Sequence, residues 1–337
     1  MKAIVSSFAS GARAFAPGLL FSAIAGCLLT GCITGAPSRV QIQHPAAQQS
    51  VGQPFDDSTS LRVTTFNVWG LPSWLNGAPS ARFGEISRQL SVLGSDVVLL
   101  QEVWTRRCFS ELSAAGGTTN RCWWAAAARH KGTMLGQNGL LTLSKFPIQS
   151  AEVKYFSRAQ LPDALMHKGA LKVTISVGEG RLINIWNVHM QDGSSPAVRS
   201  SQLAELIAWV EHAGDGQIAD IVGGDFNFTP GSDEFKRFAR AIGPDVHQLA
   251  NDDPFPTWDG LNSHLGETLD HIFVRVRQSG EEIGARPRRV FEAARPSQRL
   301  SDHMGMEALL TFHQREDQPL SVLVGQSGQS DEEEWPF

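Results

Sequence analysis

The sequence predicts an α/β protein: mixed β-sheets with helices outside them, in a single domain. Three observations predict this. Apolar runs of strand length recur through most of the 337 residues, stretches of helical spacing fall between some of them, and other connections are of hairpin length. Hydrophobic residues make up 42% and charged residues 19%, the balance of a globular chain and not of a disordered one. No internal repeat is evident.

Residues 1–31 have the pattern of an export signal. Lys2 and Arg13 precede the apolar stretch FAPGLLFSAIAGCLLTG, which is short and glycine-rich for a permanent span. It ends in LLTGC, Leu28 to Cys32, which resembles the bacterial lipoprotein box, where cleavage before the cysteine leaves that residue to be lipidated. A plain secretory signal with an incidental cysteine is the alternative. On the first reading the mature chain begins at Cys32 and is held by acyl chains that bury in a bilayer. Ile33 follows, and the lack of an aspartate there implies the outer membrane, on its periplasmic or surface face. Residues 32–60 contain Pro, Gln, Ser and Gly with little apolar periodicity and read as a lipidated tether.

Cys27 would leave with the signal, so Cys108 and Cys122 remain, in a compartment where disulfides persist. The segment between them, FSELSAAGGTTNR, reads as a loop that a bridge would pin. A Cys108–Cys122 disulfide is expected, two buried free thiols being the alternative.

The folded region is expected from Leu61 and is assigned to 61–313. LRVTTFN has strand character. Phe83, Ile86, Leu90 and Leu93 share one helix face, and Gly94 can end that helix. DVVLLQE is a short apolar run suited to a buried strand. GLLTLSKFPI, AEVKYFS, GALKVTISV and RLINIWNVHM make the middle strand-rich. Leu203, Leu206, Ile207 and Val210 fall at i, i+3, i+4 and i+7, which predicts a helix over 196–212. A strand at IADIVGGDFN, a helical stretch after Asp233, and strands at LDHIFVRV and MGMEALLTF complete the domain. Residues 314–337 are polar, end in DEEEWPF and are expected to be disordered.

The stretch IVGGDFNFTP carries the first chemical signal. Asp225 and Asn227 lie two apart, so in extended chain they point to the same side. Gly223 and Gly224 read as letting the backbone approach a ligand, and a carboxylate beside an amide oxygen suits magnesium or a phosphate. A strand ending in an ordinary Asp-x-Asn turn is the plain alternative. Comparable polar residues end other strands: Asn67, Glu102, Asn187 with His189, and Asp270, while Asp302 and His303 precede the last strand. Each alone is an ordinary cap or structural residue. Six such positions, each following an apolar run, point to one shared site.

TFNVWGLP, LLQEVW, NVHMQ, GGDFNFTP, LDHIFV and SDHMG resemble, in order, the motifs of the endonuclease/exonuclease/phosphatase superfamily. FNVWGLP is most similar to its neutral sphingomyelinase branch. The resemblance spans roughly Leu61 to Phe312 and is more specific for the superfamily than for the substrate. It implies a four-layer α/β sandwich of the DNase I-like kind, two packed mixed sheets flanked by helices, with all six motifs at one end. It also implies that Glu102 is the main magnesium ligand with Asn67 close by, and that Asp302 assists metal or water. Asp225 and Asn227 would contact the scissile phosphate and the attacking water, or a second metal. His303 would be the general base, Asp270 would orient and charge it, and His189 would stabilise the phosphate or assist the leaving group. The implied cofactor is Mg2+, with Mn2+ or another divalent cation as alternatives, as one ion or two.

Two further segments bear on the branch. LPDALMHKGA places Asp163 five residues before Lys168, similar to an Asp…Lys-Gly arrangement of these sphingomyelinases that acts in some members as an activating switch; an exposed pair would be worth little. FPTWDGLN, residues 255–262, resembles another segment of the branch. Asn262 and Asn187 are read as substrate-side residues. One departure stands out. Secreted bacterial sphingomyelinases carry an aromatic-tipped hairpin shortly before SDH, whereas VRQSGEEIGARPRRVFEAARPSQRL offers a single aromatic, Phe291. The lipid at Cys32 could replace that docking device. WLNGAPSARF and Trp123-Trp124 could supply another apolar rim, although burial is the expected fate of the tryptophans.

The formal net charge is −5, and loss of residues 1–31 would remove only Lys2 and Arg13, so the mature chain is more acidic still. That balance is poor for holding nucleic acid. The reading is a magnesium-dependent phosphodiesterase that hydrolyses a membrane phospholipid, sphingomyelin to ceramide and phosphocholine, by in-line attack of a water activated by His303. The chain is expected to be a monomer anchored to the membrane through its lipid. The alternatives are a nuclease or an inositol-phosphate phosphatase of the same superfamily and, from another class, a non-catalytic surface-binding lipoprotein. Retention of Glu102, Asp225, Asn227, Asp270 and His303 argues against the last.

Overall fold

A computed structural model describes residues 40–43, 60–114, 124–128, 138–161, 163–178, 180–193, 195–214, 216–259, 266–279, 281–293 and 298–314. The expected signal, Cys32, most of the tether, Cys122, Asn262 and the tail from residue 315 lie outside the described residues. The strands are β1 (Val40–Gln43), β2 (Ser60–Asn67), β3 (Val97–Gln101), β4 (Trp124–Ala128), β5 (Leu141–Ser144), β6 (Ile148–Tyr155), β7 (Gly169–Ser176), β8 (Leu182–His189), β9 (Ala219–Asp225), β10 (Asp270–Val276), β11 (Glu281–Val290) and β12 (Gly305–Gln314). They form a sheet of order β1-β4-β5-β3-β2-β12-β11 and a second of order β10-β9-β8-β7-β6. The pairs β2/β3 and β8/β9 are parallel and the others antiparallel.

The helices are α1 (Ser73–Asn76), α2 (Arg82–Leu93), α3 (Arg106–Ser113), α4 (Pro196–Glu211), α5 (Asp233–Ala241) and α6 (Val246–Ala250). Strand alternation sorts the side chains into layers. Along β3, Val97 and Leu99 face the second sheet with Leu171, Ile185, Ile221 and Ile272, while Val98 and Leu100 face α2 and α3 with Phe83, Ile86, Leu90 and Leu112. On the second sheet Trp186, Val188 and Val222 point outward, against Leu203, Leu206, Phe235 and Phe238 of α4 and α5. Helix, sheet, sheet and helix therefore form the expected four-layer sandwich. The DVVLLQE run is apolar throughout because both faces of β3 are covered.

Local chemistry accounts for the helix ends. Gly94 closes α2 at φ 85°, a left-handed position that glycine adopts without strain. Thr105 caps α3 by accepting from the Cys108 N–H, and Ser232 caps α5 from the Phe235 N–H. Pro196 opens α4, where its missing N–H costs nothing.

Four expectations need correction. Residues 40–43, read as tether, are strand β1 and pair with β4 at the sheet edge. The segment after Cys108, read as loop, begins with α3, whose face Cys108, Phe109 and Leu112 pack into the core. Cys108 itself is a free, fully buried thiol, so the expected bridge to Cys122 is not formed. Burial raises that thiol well above its usual range, which leaves it inert. Finally, Gly223 and Gly224 serve strand packing and not ligand approach. Gly224 has φ 149°, and a Cβ there would overlap the Val188 carbonyl of the neighbouring strand.

Strand directions explain why the polar residues converge. Parallel β2 and β3 end at Asn67 and Gln101, with Glu102 next, and parallel β8 and β9 end at His189 and Asp225. Antiparallel β10 begins opposite Asp225 with Asp270. The β11–β12 connection, which carries Asp302 and His303, arrives at the same end of the sheets.

Candidate active site

A cavity of about 530 Å3 opens at that end. Its lining includes Glu102, Asp163, Lys168, His189, Asp225, Asn227, Asp302 and His303. The deepest contacts join both sheets. Asn67 donates through Nδ2 to Glu102 Oε1 at 3.1 Å and to Asp225 Oδ2 at 2.9 Å, so one amide bridges two acids. Its own Oδ1 accepts from the Trp69 N–H. Trp104 Nε1 donates to Glu102 Oε2 at 3.3 Å. Glu102 has φ 60° and Asn227 φ 55°, sparsely populated geometry that a functional position tolerates when its surroundings enforce it.

His303 Nδ1 lies 2.8 Å from Asp270 Oδ2, with Asp270 fully buried. The carboxylate accepts, so Nδ1 carries a proton; Nε2 faces Asp225 Oδ2 at 3.7 Å. Burial pulls the His303 imidazole down, but Asp270, Asp225 and Asp302 together outweigh it and raise it to about 10. His189 Nε2 sits 3.5 Å from the same Asp225 oxygen. Burial, with Lys168 and His303 nearby, drives His189 well below its ordinary value, so it is neutral. Burial also raises Glu102, and it raises Asp225 to about 6.

Asp225 Oδ1 accepts from the Asn227 N–H, and Asn227 Nδ2 donates to the Met190 carbonyl, which fixes the amide at the cavity wall. Lys168 reaches the same carbonyl at 3.0 Å and pairs with Asp163 at 2.7 Å, both half-buried or buried, so the Asp163–Lys168 pair of the sequence is formed. Asn187 is placed elsewhere. It is fully buried between the sheets, donating to the Leu100 and Leu141 carbonyls and accepting from Gln101, with no share of the cavity lining. The expectation of a substrate contact there is corrected: β8 alternation puts Asn187 one pleat deeper than His189, where it ties the sheets together.

The donor set suits a hard divalent cation. Glu102, Asp225 and Asp302 offer carboxylate oxygens, while Asn67 turns its amide nitrogen to Glu102 and Asp225 and its Oδ1 to the Trp69 N–H. Asp225, Asp270 and His303 also bring one ligand atom each within 4.8 Å of one another. Because Asp270 and His303 bond to each other, they read as an acid–base pair beside the acids and not as a metal cage.

The family model for the endonuclease/exonuclease/phosphatase family matches residues 64–303. This chain belongs to that family. Among curated relatives, an inositol phosphosphingolipids phospholipase C of Schizosaccharomyces pombe is 27% identical over 52% of this chain and 43% of its own length. A sphingomyelin phosphodiesterase 5 of Danio rerio is 30% identical over 44% of this chain and 31% of its own length, and a sphingomyelinase C of Listeria ivanovii is 24% identical over 64% and 72%. The chain thus spans less than half of the first two. Among solved structures, a D. rerio TDP2 superposes with a TM-score of 0.61 at 17% identity, over 74% of this chain and 98% of that one. A beta toxin of Staphylococcus aureus with bound magnesium ions gives 0.55 at 20% identity, over 74% and 99%. These structural likenesses show the shared fold.

Several residues of the site escaped sequence reading. Arg82, buried at the start of α2, donates to the Val68, Trp69 and Leu300 carbonyls and lies over the Phe83 ring. It ties the chain leaving Asn67 to the chain entering Asp302 and His303. Burial lowers its pKa. Ser301 Oγ adds a second tie, to the Asn67 carbonyl at 2.7 Å. Nothing in the sequence distinguishes Arg82 from a surface arginine, whereas Ser301 and Trp104 lie inside the quoted motifs. Trp74, for which burial was expected, is 72% exposed on α1, and Phe291 is buried, stacked on Phe66 at 4.4 Å.

Proposed function

We propose that the chain is a magnesium-dependent phosphodiesterase that hydrolyses a membrane phospholipid, sphingomyelin to ceramide and phosphocholine. The observation that carries this reading is the buried Asp270–His303 pair, its Nε2 turned toward the acids bridged by Asn67. Glu102 would hold the ion, with Asn67, Asp302 and Asp225 around it, and the bound ion would draw negative charge from a non-bridging oxygen of the diester. Held near 10 by the surrounding carboxylates, His303 needs an opposing positive field to accept a proton at neutral pH. It then takes the proton of the attacking water at Nε2 while Asp270 fixes the tautomer and stabilises the imidazolium. Neutral His189 donates a hydrogen bond to the phosphate but cannot serve as an imidazolium acid. Lys168, aimed by Asp163, adds positive charge at the cavity wall.

The sphingolipid assignment is supported by the named activities of the relatives and by the Asp163–Lys168 pair. For location, LLTGC at Leu28–Cys32 supports lipidation at Cys32 and anchoring to the outer membrane of a bacterium. Among the described residues no helix is long and apolar enough to cross a membrane. Exposed Trp74 lies on the connection after β2 and exposed Leu161 on that between β6 and β7, both at the cavity end, where they would meet a lipid surface.

The test is a substrate panel for the full chain with magnesium: sphingomyelin liposomes, a ceramide phosphoinositol and single-stranded DNA. Phosphocholine release from the first is expected to dominate. Preference for DNA, with a steep salt dependence, would replace the reading with a nuclease.

A further inference from the structure

In the connection before β10, Trp258 lies between Glu267 and the catalytic histidine. Trp258 and Glu267 exchange both backbone hydrogen bonds, Trp258 N–H to Glu267 O at 2.9 Å and Glu267 N–H to Trp258 O at 2.7 Å. On its other side Trp258 bridges His303, where the Met304 N–H donates to the Thr257 carbonyl at 2.6 Å. Residues directly opposite in antiparallel pairs put their Cβ atoms on one face, about 5 Å apart. Glu267, Trp258 and His303 therefore form a row, and all three line the cavity.

The charges along this row differ from those of the rest of the site. Glu102 is engaged by Asn67 and Trp104, Asp163 by Lys168, Asp225 by Asn67, and Asp302 by Ser301. Glu267 is exposed, and no cation or hydrogen-bond donor among the described residues meets its carboxylate. The cationic side chains of the lining, Lys168 and Arg199, are already paired, with Asp163 and Glu234. Among the described residues, the row beyond the base thus offers an aromatic side chain and an unpaired carboxylate, and no free cation for a further phosphate.

We propose that Trp258 and Glu267 form a subsite for a quaternary ammonium carried on the scissile phosphate. The ring face takes the cation, the carboxylate balances its charge, and the two-carbon linker of a phosphocholine group spans the step from the base to the tryptophan. This rests on the phosphodiesterase reading and assigns its head-group specificity to two residues outside the hydrolytic machinery.

The full chain with magnesium is assayed on sphingomyelin and on bis(p-nitrophenyl) phosphate, a diester without a cation. Glu267→Gln and Trp258→Leu should each lower kcat/KM for sphingomyelin about tenfold, chiefly through KM, and leave the nitrophenyl diester within about twofold. Trp258→Phe keeps a ring face and should retain most of the activity. Equal losses on both substrates, or no loss on sphingomyelin, would overturn the subsite and leave the phosphodiesterase standing. Calorimetry with phosphocholine and glycerol 3-phosphate decides the subsite independently of hydrolysis. Tighter binding of phosphocholine, abolished by Glu267→Gln, supports it, and equal binding overturns it. If neither diester is cleaved, the phosphodiesterase reading itself fails.

Discussion

Arg82→Met probes how the fold holds the site together. The methionine keeps much of the side-chain volume but removes the guanidinium that donates to the Val68, Trp69 and Leu300 carbonyls. Each buried carbonyl that loses its donor costs on the order of 1–3 kcal/mol, and breaking a buried charged hub as a whole costs about 3–5 kcal/mol. For a domain of this size, 1 kcal/mol shifts the melting temperature by about 2–4 °C, so the variant should melt about 6–20 °C lower. The released chains bear Asn67 on one side and Asp302 and His303 on the other. A displacement of about 1 Å between them would cost roughly a hundredfold in kcat. Arg82→Lys should be intermediate, because a single ammonium cannot span three carbonyls. Scanning fluorimetry and diester hydrolysis below the variant's melting range give both numbers. A melting temperature within about 2 °C of wild type, worth less than about 1 kcal/mol, would refute the clamp.

Other perturbations test single links. Asp270→Asn removes the charge that orients His303; kcat should fall by about 10²–10⁴-fold with little change in melting temperature, and a fall under threefold would place the base elsewhere. Glu102 and Asp225 have carboxyls raised by burial, the latter to about 6, and must be deprotonated to hold a cation. Magnesium affinity measured by calorimetry should therefore fall on acidification, by about tenfold per pH unit below about 6 from Asp225 alone and more steeply where Glu102 also takes up a proton; an affinity that rises on acidification would contradict that sign. Gly224→Ala forces a Cβ into the Val188 carbonyl at a positive φ and should destabilise by about 2–4 kcal/mol by urea titration, whereas a neutral result would mean that the two strands can move apart.

The sequence made legible whatever depends on local pattern. The β3 run is apolar on both faces, α4 repeats its apolar side chains at helical spacing, and Asp225 and Asn227 follow an apolar strand, so each was visible before any packing was known. The contacts that failed to show are those set by partners distant in sequence. Edge strand β11 contains Gly284, Pro287 and several charges, which disguise it; an edge tolerates proline because one side of the strand needs no donors. Asn187 carries the same residue type as a ligand, yet its donors are spent on Leu100 and Leu141 across the sheets. Cys108 was paired on compartment and spacing, but the face of α3 turns it into the core. The Asp270–His303 pair was anticipated through motif resemblance, and its 2.8 Å contact follows from β10 and the β11–β12 connection meeting at one sheet end.

The measurement that bears most directly on the central claim follows phosphocholine release from sphingomyelin liposomes by the full chain. It compares magnesium with chelator, and wild type with Glu102→Gln and His303→Ala. The account predicts release that requires magnesium, is restored when the ion is returned, and falls at least a hundredfold or so in each variant while both remain folded. Release that persists in chelator, or in a folded His303→Ala variant, would contradict it.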